Sequence, residues 1–139
     1  MKANLGIAVF VGWMTQLGLS ILLPTTAIVF GRAASMLFGG DGSWGDHASD
    51  PREPAWHLIQ ASILLGSVIA AWLTGYLAPR RFALAATALI LLVLAAKVFE
   101  QFPMPPSPSV LVEWMLAPCL GIVVGTMAAR LTVARPRSI

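Results

Sequence analysis

The side chains best suited to chemistry gather near one end of the apolar segments of this sequence. Lys97 and Glu100 are three residues apart, so on a helix they share a face and can form an ion pair. Lys97 also lies inside its apolar segment, where a charge needs a partner, and Glu113 on the next segment is the cross-helix candidate. The full set of polar and ionisable residues that we single out is Gln16, His57, Gln60, Lys97, Glu100 and Glu113.

Two interpretations of this cluster stay open. As a structural feature, it is an interfacial ion-pair network that fixes the register of the helices. As a functional feature, it is a site for a proton, an ion or a lipid headgroup at the membrane surface. A zinc site that uses His57 with Glu100 or Glu113 is the weaker alternative, because no HxxxH, HExxH or CxxC spacing supports it.

The polar stretch 39–54 offers oxygen ligands without a metal-site pattern. Asp41, Asp46, His47 and Asp50 do not match the EF-hand, which needs ligands at alternate positions and a glutamate at its last one. We expect a solvated acidic loop there, with neither a metal nor a cofactor. No nucleophile–base pair or glycine-rich phosphate loop indicates catalysis.

Gln16 is the most polar residue in the middle of the first apolar segment. It shares a helical face with Gly12 and Ser20, and an amide at this depth needs a hydrogen-bonding partner. Two interpretations are possible, a bond to another helix or the lining of a polar path. We favour the first, because no ionisable group accompanies Gln16 in that segment.

The composition places all these residues in a membrane. Of 139 residues, 58% are hydrophobic and 11% are charged, whereas a soluble domain carries about 25% charged residues. A soluble protein of this size could not hide so much apolar surface, so the lipid bilayer must surround it. No basic run alternates with aromatic residues, so nucleic acid is not an expected partner.

Four apolar segments predict an all-α membrane protein, a single domain of four transmembrane helices in an antiparallel bundle. The proline-rich stretch 103–109 predicts a loop, and the short turn 78–81 makes the second and third helices neighbours. The first helix is expected to continue through 32–38 into the interface. In chain order we expect spans at 5–31, 55–77, 82–102 and 110–130, with an outer loop at 39–54 and a basic tail at 131–139.

Small residues recur every four positions in two of the segments. On a helix this spacing forms a small-residue stripe along one face, which lets another helix approach closely. We expect the stripes to pack the helices within one subunit; the alternative is that one stripe faces a second protein. The stripe of the second segment is Ser62, Gly66, Ala70 and Thr74, and that of the fourth is Ala117, Gly121, Gly125 and Ala129.

The distribution of charge predicts the orientation. With four spans both termini share a side, and that side carries Lys2, Arg80, Arg81, Arg130, Arg135 and Arg137. All six acidic residues lie on the opposite side, together with Arg32, Arg52 and Lys97. The positive-inside rule then puts both termini in the cytoplasm, and we expect a bacterial inner membrane.

Two known classes of small four-helix membrane protein do not fit. Small multidrug-resistance transporters carry a Glu in their first helix, and residues 5–31 contain no acid. Fluoride channels carry a Gly-rich, Arg-containing first motif and a polar Thr/Ser/Phe motif in a later helix, and neither occurs here. Residues 75–81, the Ala/Leu-rich helix, the proline-rich turn and the small-residue last helix resemble in composition many four-helix bacterial membrane proteins. That resemblance implies no activity.

Three functions follow as expectations. The first is a non-enzymatic accessory or assembly subunit that packs through its small-residue stripes against other membrane subunits or itself. The second is a small oligomeric transporter or channel, with Gln16, Lys97, Glu100 and Glu113 along its path. The third is a membrane enzyme acting on lipid or isoprenoid groups, with His57 and Glu113 as its acid–base pair.

Overall fold

A computed structural model describes residues 4–46, 50, 52–100 and 107–134. In this part of the chain the secondary structure consists of four α-helices: α1 (Leu5–Leu37), α2 (Pro54–Leu77), α3 (Phe82–Glu100) and α4 (Pro108–Ala134). Each is long and apolar enough to cross a membrane. They pack as a bundle, which confirms the predicted all-α fold of four apolar helices. α1 and α2 are antiparallel, whereas α2 and α4 are parallel, with Gly121 against Ser67 and Ala129 against Gly75.

The helix ends differ in places from the predicted spans. α1 continues through residue 37, as expected. α4 begins at Pro108, inside the stretch predicted to be a loop, because a proline in the first turn of a helix loses no hydrogen bond. α4 also extends to Ala134, so the start of the predicted tail is helical. The predicted end of the third span, 101–102, lies outside the described residues.

α2 is the central helix of the bundle. It packs extensively against α1 on one side and against α4 on the other. α3 makes smaller contacts with α1, α2 and α4. α3 is therefore the least extensively packed of the four helices, and the cleft described below lies between α1 and α3.

The stripe of α4 lies against α2 of the same chain. A Cβ on Gly125 would collide with the carbonyl oxygen of Val68, and a Cβ on Gly121 would lie 2.6 Å from the carbonyl oxygen of Leu64. Only glycine lets the two backbones come this close. All four residues of the stripe are buried: Ala117, Gly121, Gly125 and Ala129.

The stripe of α2 faces α1 over most of its length. Gly12 of α1 lies against Ala70 and Thr74, where a Cβ would be 3.2 Å from the carbonyl oxygen of Ala70. A Cβ on Gly66 would lie 3.0 Å from the Cβ of Leu19. Ser62 differs from the other residues of this stripe because it is only partly buried. Its hydroxyl donates to the carbonyl of Leu58 in the same helix at 2.8 Å.

α2 also carries a second small-residue face. Ser67, Ala71 and Gly75 are each buried one position beyond the stripe that faces α1. These residues contact α4: a Cβ on Gly121 would lie 2.5 Å from the Cβ of Ser67, and one on Gly75 would lie 2.7 Å from the Cβ of Ala129. α2 therefore packs closely on two sides at once.

α1 projects beyond α2 at one end. Its 33 residues make it roughly 50 Å long. α1 and α2 are antiparallel, and Leu19 of α1 lies against Gly66 of α2. Val29 follows Leu19 in α1 by as many residues as Trp56 precedes Gly66 in α2, so Val29 is level with Trp56. α2 begins two residues before Trp56, at Pro54, which is level with Gly31, so α1 extends past α2 by roughly 9 Å. This overhang, residues 32–38, exposes Met36, Leu37 and Phe38 by 62%, 84% and 91%.

Candidate functional site

A cleft between α1 and α3 brings together three residues of the predicted polar cluster. It has a volume of about 120 Å³ and contains Gln16 at its wall and the Lys97–Glu100 pair at its rim. Most of the remaining lining is apolar. The lining comprises Trp13, Gln16, Leu17, Ser20 and Ile21 of α1, Val93, Ala96, Lys97 and Glu100 of α3, Ile63 of α2 and Pro118 of α4.

Gln16 connects α1 to α2 through its side-chain amide. Its Nε2 donates to the hydroxyl of Ser67 at 2.8 Å and to the hydroxyl of Ser20 at 3.0 Å. Gln16 is 3% exposed and Ser67 is fully buried. Gln16 thus bonds another helix, and its side chain also lines the cleft.

Two polar atoms in this region have no hydrogen-bonding partner among the described residues. They are the Oε1 of Gln16 and the Nε1 of Trp13, and both atoms are buried. One is an acceptor and the other is a donor. Unsatisfied polar atoms are costly in the hydrocarbon region, where no bulk water can bind them.

Lys97 and Glu100 form the rim of the cleft. The Nζ of Lys97 donates to the Oε2 of Glu100 at 2.9 Å, and their side chains are 32% and 54% exposed. An adjoining recess of about 250 Å³ shares this pair and adds Gln60, Ile63 and Trp114 to its lining. Of the predicted cluster, Gln60 therefore lies next to the cleft rather than inside it.

His57 and Glu113 lie outside the cleft. In the described part of the chain neither forms a side-chain hydrogen bond or an ion pair, and Lys97 pairs with Glu100 instead of Glu113. The ring of His57 packs edge-on against Trp56, with 5.2 Å between centroids. Among the described residues, no group of three His, Cys, Asp or Glu side chains is close enough to hold a metal ion.

The loop after α1 folds back onto that helix. The indole ring of Trp44 lies directly over Gly31, where any larger residue would collide with it. The Nε of Arg32 donates to the carbonyl of Trp44 at 3.0 Å, and the same guanidinium forms an ion pair with Asp46. These contacts, which we call the loop clamp, hold residues 44–46 against the overhang of α1.

Asp41 shapes the turn that begins this loop. The Ser43 hydroxyl donates to its carboxylate at 2.6 Å and the Ser43 backbone N–H donates at 3.0 Å. Mainly through the hydroxyl bond, these donors lower the pKa of the exposed Asp41 carboxyl below its ordinary value. Of the predicted acidic loop residues, His47 lies outside the described residues.

The other half of the bundle is tightly packed. Leu89 of α3 and Ile122 of α4 are fully buried at its centre. The space between Leu89, Ala71 and Thr126 is too small for a water molecule. α2, α3 and α4 therefore leave no room for a ligand between them at this level.

Sequence reasoning missed one residue of the site and placed another, Trp13, beside the face of Gln16 without its role as an unpaired donor. Ser67 was overlooked because it lies one position beyond the stripe that we identified on α2, although its type suits a bond to Gln16. The indole of Trp13 was not identified as an unpaired donor, although it precedes Gln16 by three positions and so shares its face.

Comparison with protein-family models, with curated proteins and with solved structures finds no match to this chain. The chemistry of the cleft is accordingly inferred from its own residues.

Proposed function

We propose that this protein is a non-enzymatic accessory or assembly subunit of a larger integral membrane complex or of a homo-oligomer. The overhang of α1 is the observation that carries this proposal. Met36, Leu37 and Phe38 are exposed there, past the level at which α2 begins. Apolar side chains beyond the hydrocarbon core are typical of a surface that another protein covers.

The surface proposed here for contact with a partner, the overhang of α1, differs from the small-residue stripes expected from the sequence. The stripes of α2 and α4 contact helices of the same chain, with Gly125 against Val68 and Gly66 against Leu19. A partner must therefore bind elsewhere, and the overhang with its loop clamp is the surface proposed for it. The apolar outer faces of the spans remain for lipid.

Site-specific photo-crosslinking tests this proposal. Phe38→p-benzoylphenylalanine in the native membrane should crosslink to a protein, and mass analysis then distinguishes a second copy from another subunit. Val124→p-benzoylphenylalanine is the matched control, because Val124 is about half exposed inside an apolar span. A lone monomer after gentle detergent extraction, with no crosslink from position 38, would count against the proposal.

The proposed location is a bacterial inner membrane with both termini in the cytoplasm. The distribution of basic residues along the sequence supports it: six flank the helix ends on the side of the α2–α3 turn and three fall on the other side. The six are Lys2, Arg80, Arg81, Arg130, Arg135 and Arg137, and the three are Arg32, Arg52 and Lys97. Cysteines introduced at Arg81 and at Asp50 in a Cys119→Ser background should react from opposite sides with an impermeant maleimide. Labelling of position 81 from outside intact cells would reverse the topology.

A second function, a small oligomeric transporter or channel, is favoured by the cleft alone. The cleft joins Gln16 to Lys97 and Glu100, as a polar path would require, whereas Glu113 lies outside it. The tight packing around Leu89 means that a second conformation or a second copy must complete the path. Proteoliposome flux tests this function, and flux that Gln16→Leu and Lys97→Met both leave unchanged would remove it.

A further inference from the structure

Three arginines meet at the end of the bundle that holds the α2–α3 turn. Arg80 and Arg81 belong to that turn and Arg130 to the last turns of α4, and all three line one open recess between α3 and α4. All three residues are exposed. The recess has a volume of about 670 Å³, within the range of about 300–1,000 Å³ that small-molecule sites occupy.

No acidic side chain accompanies these arginines. Four of the six acidic residues of the sequence fall between α1 and α2, Glu100 ends α3 and Glu113 is near the start of α4. Because α2 and α4 are parallel, all six belong to the opposite end of the bundle. In the described part of the chain none of the three arginines forms an ion pair. Their counterion is therefore not one of the protein's own side chains.

An aromatic ring holds Arg130 against the neighbouring helix. The Cζ of Arg130 lies 5.4 Å from the centroid of the Phe82 ring, which is a cation–π contact between α4 and α3. Phe82 follows Arg81 directly in the chain, so this contact keeps the guanidinium of α4 close to the arginines of the turn. A guanidinium is also the side chain best suited to a phosphate, because its planar N–H groups can donate in pairs.

The start of α3 adds backbone donors to the same recess. Phe82, Ala83 and Leu84 line it, and the first N–H groups of an α-helix have no partner within the helix. These groups also form the positive end of the helix dipole, which favours an anion. The recess thus offers guanidinium and backbone donors together.

The apolar part of the recess indicates what carries the anion. Arg80 and Arg81 separate two apolar spans, so they lie where the hydrocarbon core ends. Leu84 and Val133 line the recess and are 56% and 40% exposed. A phospholipid would place its phosphate at the arginines and an acyl chain along these two side chains, whereas an anion dissolved in water would gain nothing from them.

We propose that the recess between α3 and α4 binds the phosphate group of an anionic phospholipid. Arg80, Arg81 and Arg130 bind the phosphate, and Leu84 and Val133 contact the first part of an acyl chain. Since no carboxylate accompanies the arginines, a lipid with a net negative charge is favoured over a zwitterionic one. The site is at the opposite end of the bundle from the overhang and does not include the cleft, so it is independent of both proposed functions.

Lipid titration in neutral detergent micelles, followed by native mass spectrometry, tests the site. The probes are phosphatidylglycerol, which is anionic, and phosphatidylcholine with the same acyl chains, which is zwitterionic. We expect the first phosphatidylglycerol to bind at least about ten-fold more tightly than phosphatidylcholine. Arg81→Gln and Arg130→Gln should each weaken the binding of phosphatidylglycerol by about five-fold, the usual effect of one arginine near an anionic lipid.

Arg52→Gln is the matched control, because it removes the same charge from the opposite end of the bundle. It should bind phosphatidylglycerol like the unmodified protein. Inorganic phosphate at the concentration of the lipid should not displace it. Equal affinity for the two lipids, an equal loss from Arg52→Gln, or displacement by inorganic phosphate would each overturn the proposal; the last result would assign the arginines to a soluble anion. The comparison of the two lipids needs no variant, so it tests the site whether or not each variant folds.

Discussion

The side-chain amide of Gln16 on α1 donates a hydrogen bond of 2.8 Å to the hydroxyl of Ser67 on α2, in the interior of the bundle. Both residues are buried, and each lies beside glycines or alanines that bring the two backbones together. Close backbone packing and one interhelical hydrogen bond therefore act at the same level of the α1–α2 interface. In lipid these are the interactions that hold helices together.

Ser67→Ala should destabilise the bundle more than Gln16→Leu does. Removing the Ser67 hydroxyl leaves Gln16 with Ser20 as its one acceptor, at a cost of about 0.6–1.7 kcal/mol. Gln16→Leu removes the hydrogen bond together with the unpaired Oε1, so its net cost is smaller. Reversible unfolding in mixed micelles measures the difference. A larger loss from Gln16→Leu would contradict this account of the amide.

Gly125→Ala should destabilise the α2–α4 interface by about 1–3 kcal/mol, the usual cost of overpacking. The new Cβ would collide with the carbonyl oxygen of Val68, which belongs to the backbone and cannot move aside as a side chain could. Gly18→Ala is the matched control, because nothing lies within 4 Å of a Cβ at that position. Thermal unfolding in detergent compares the two variants. Equal midpoints would show that the α4 stripe does not set the helix separation.

Arg32→Gln should release the loop clamp while changing the overall stability little. An exposed ion pair such as Arg32–Asp46 contributes at most about 1 kcal/mol. The local effect is larger, because the Arg32 side chain also donates to the carbonyl of Trp44. Amide hydrogen exchange of residues 40–46 should accelerate. Arg52→Gln removes an arginine elsewhere in the same loop, and it should leave that exchange unchanged.

The Asp41 turn should weaken in acid. Because the pKa of Asp41 is lowered, the folded turn favours the ionised carboxylate over the protonated carboxyl. The ionised carboxylate therefore stabilises the turn above the ordinary pKa of Asp, and this stabilisation is lost as the pH falls through the lowered pKa of Asp41. An NMR titration of the Asp41 carboxyl carbon should give a midpoint below 3.8. Ser43→Ala should move the midpoint upwards, and a midpoint that stays in place would remove Ser43 as the cause.

Much of the fold could be predicted because lipid limits the choices. Long apolar segments separated by polar or proline-rich stretches must be membrane helices, since every backbone group has to be bonded within its own segment. The ends were less certain: Pro108 belongs to α4, although composition alone placed it in a loop. A proline in the first turn of a helix loses no backbone hydrogen bond. Prolines also occur inside these apolar helices, at Pro24 of α1 and Pro118 of α4.

The packing and the cleft could be predicted only in part. The stripe of α2 that contains Gly66 and Ala70 could be predicted from the sequence, but the neighbouring face with Ser67 and Ala71 was not predicted. The spacing of small residues does not show which helix packs against a given face. The pairing of Gln16 with Ser67 depends on the register between α1 and α2, which no local pattern contains. The unpaired indole of Trp13 likewise follows from the three-dimensional arrangement.

The unequal length of α1 and α2 links this protein to the thickness of its bilayer. A membrane matched to α2 leaves Phe38 roughly 10 Å beyond the hydrocarbon, so only a bilayer thicker by a comparable distance would immerse it. Bilayer thickness would then determine how much of the aromatic end of α1 stays accessible to the partner proposed above, with thin regions exposing it and thick regions covering it.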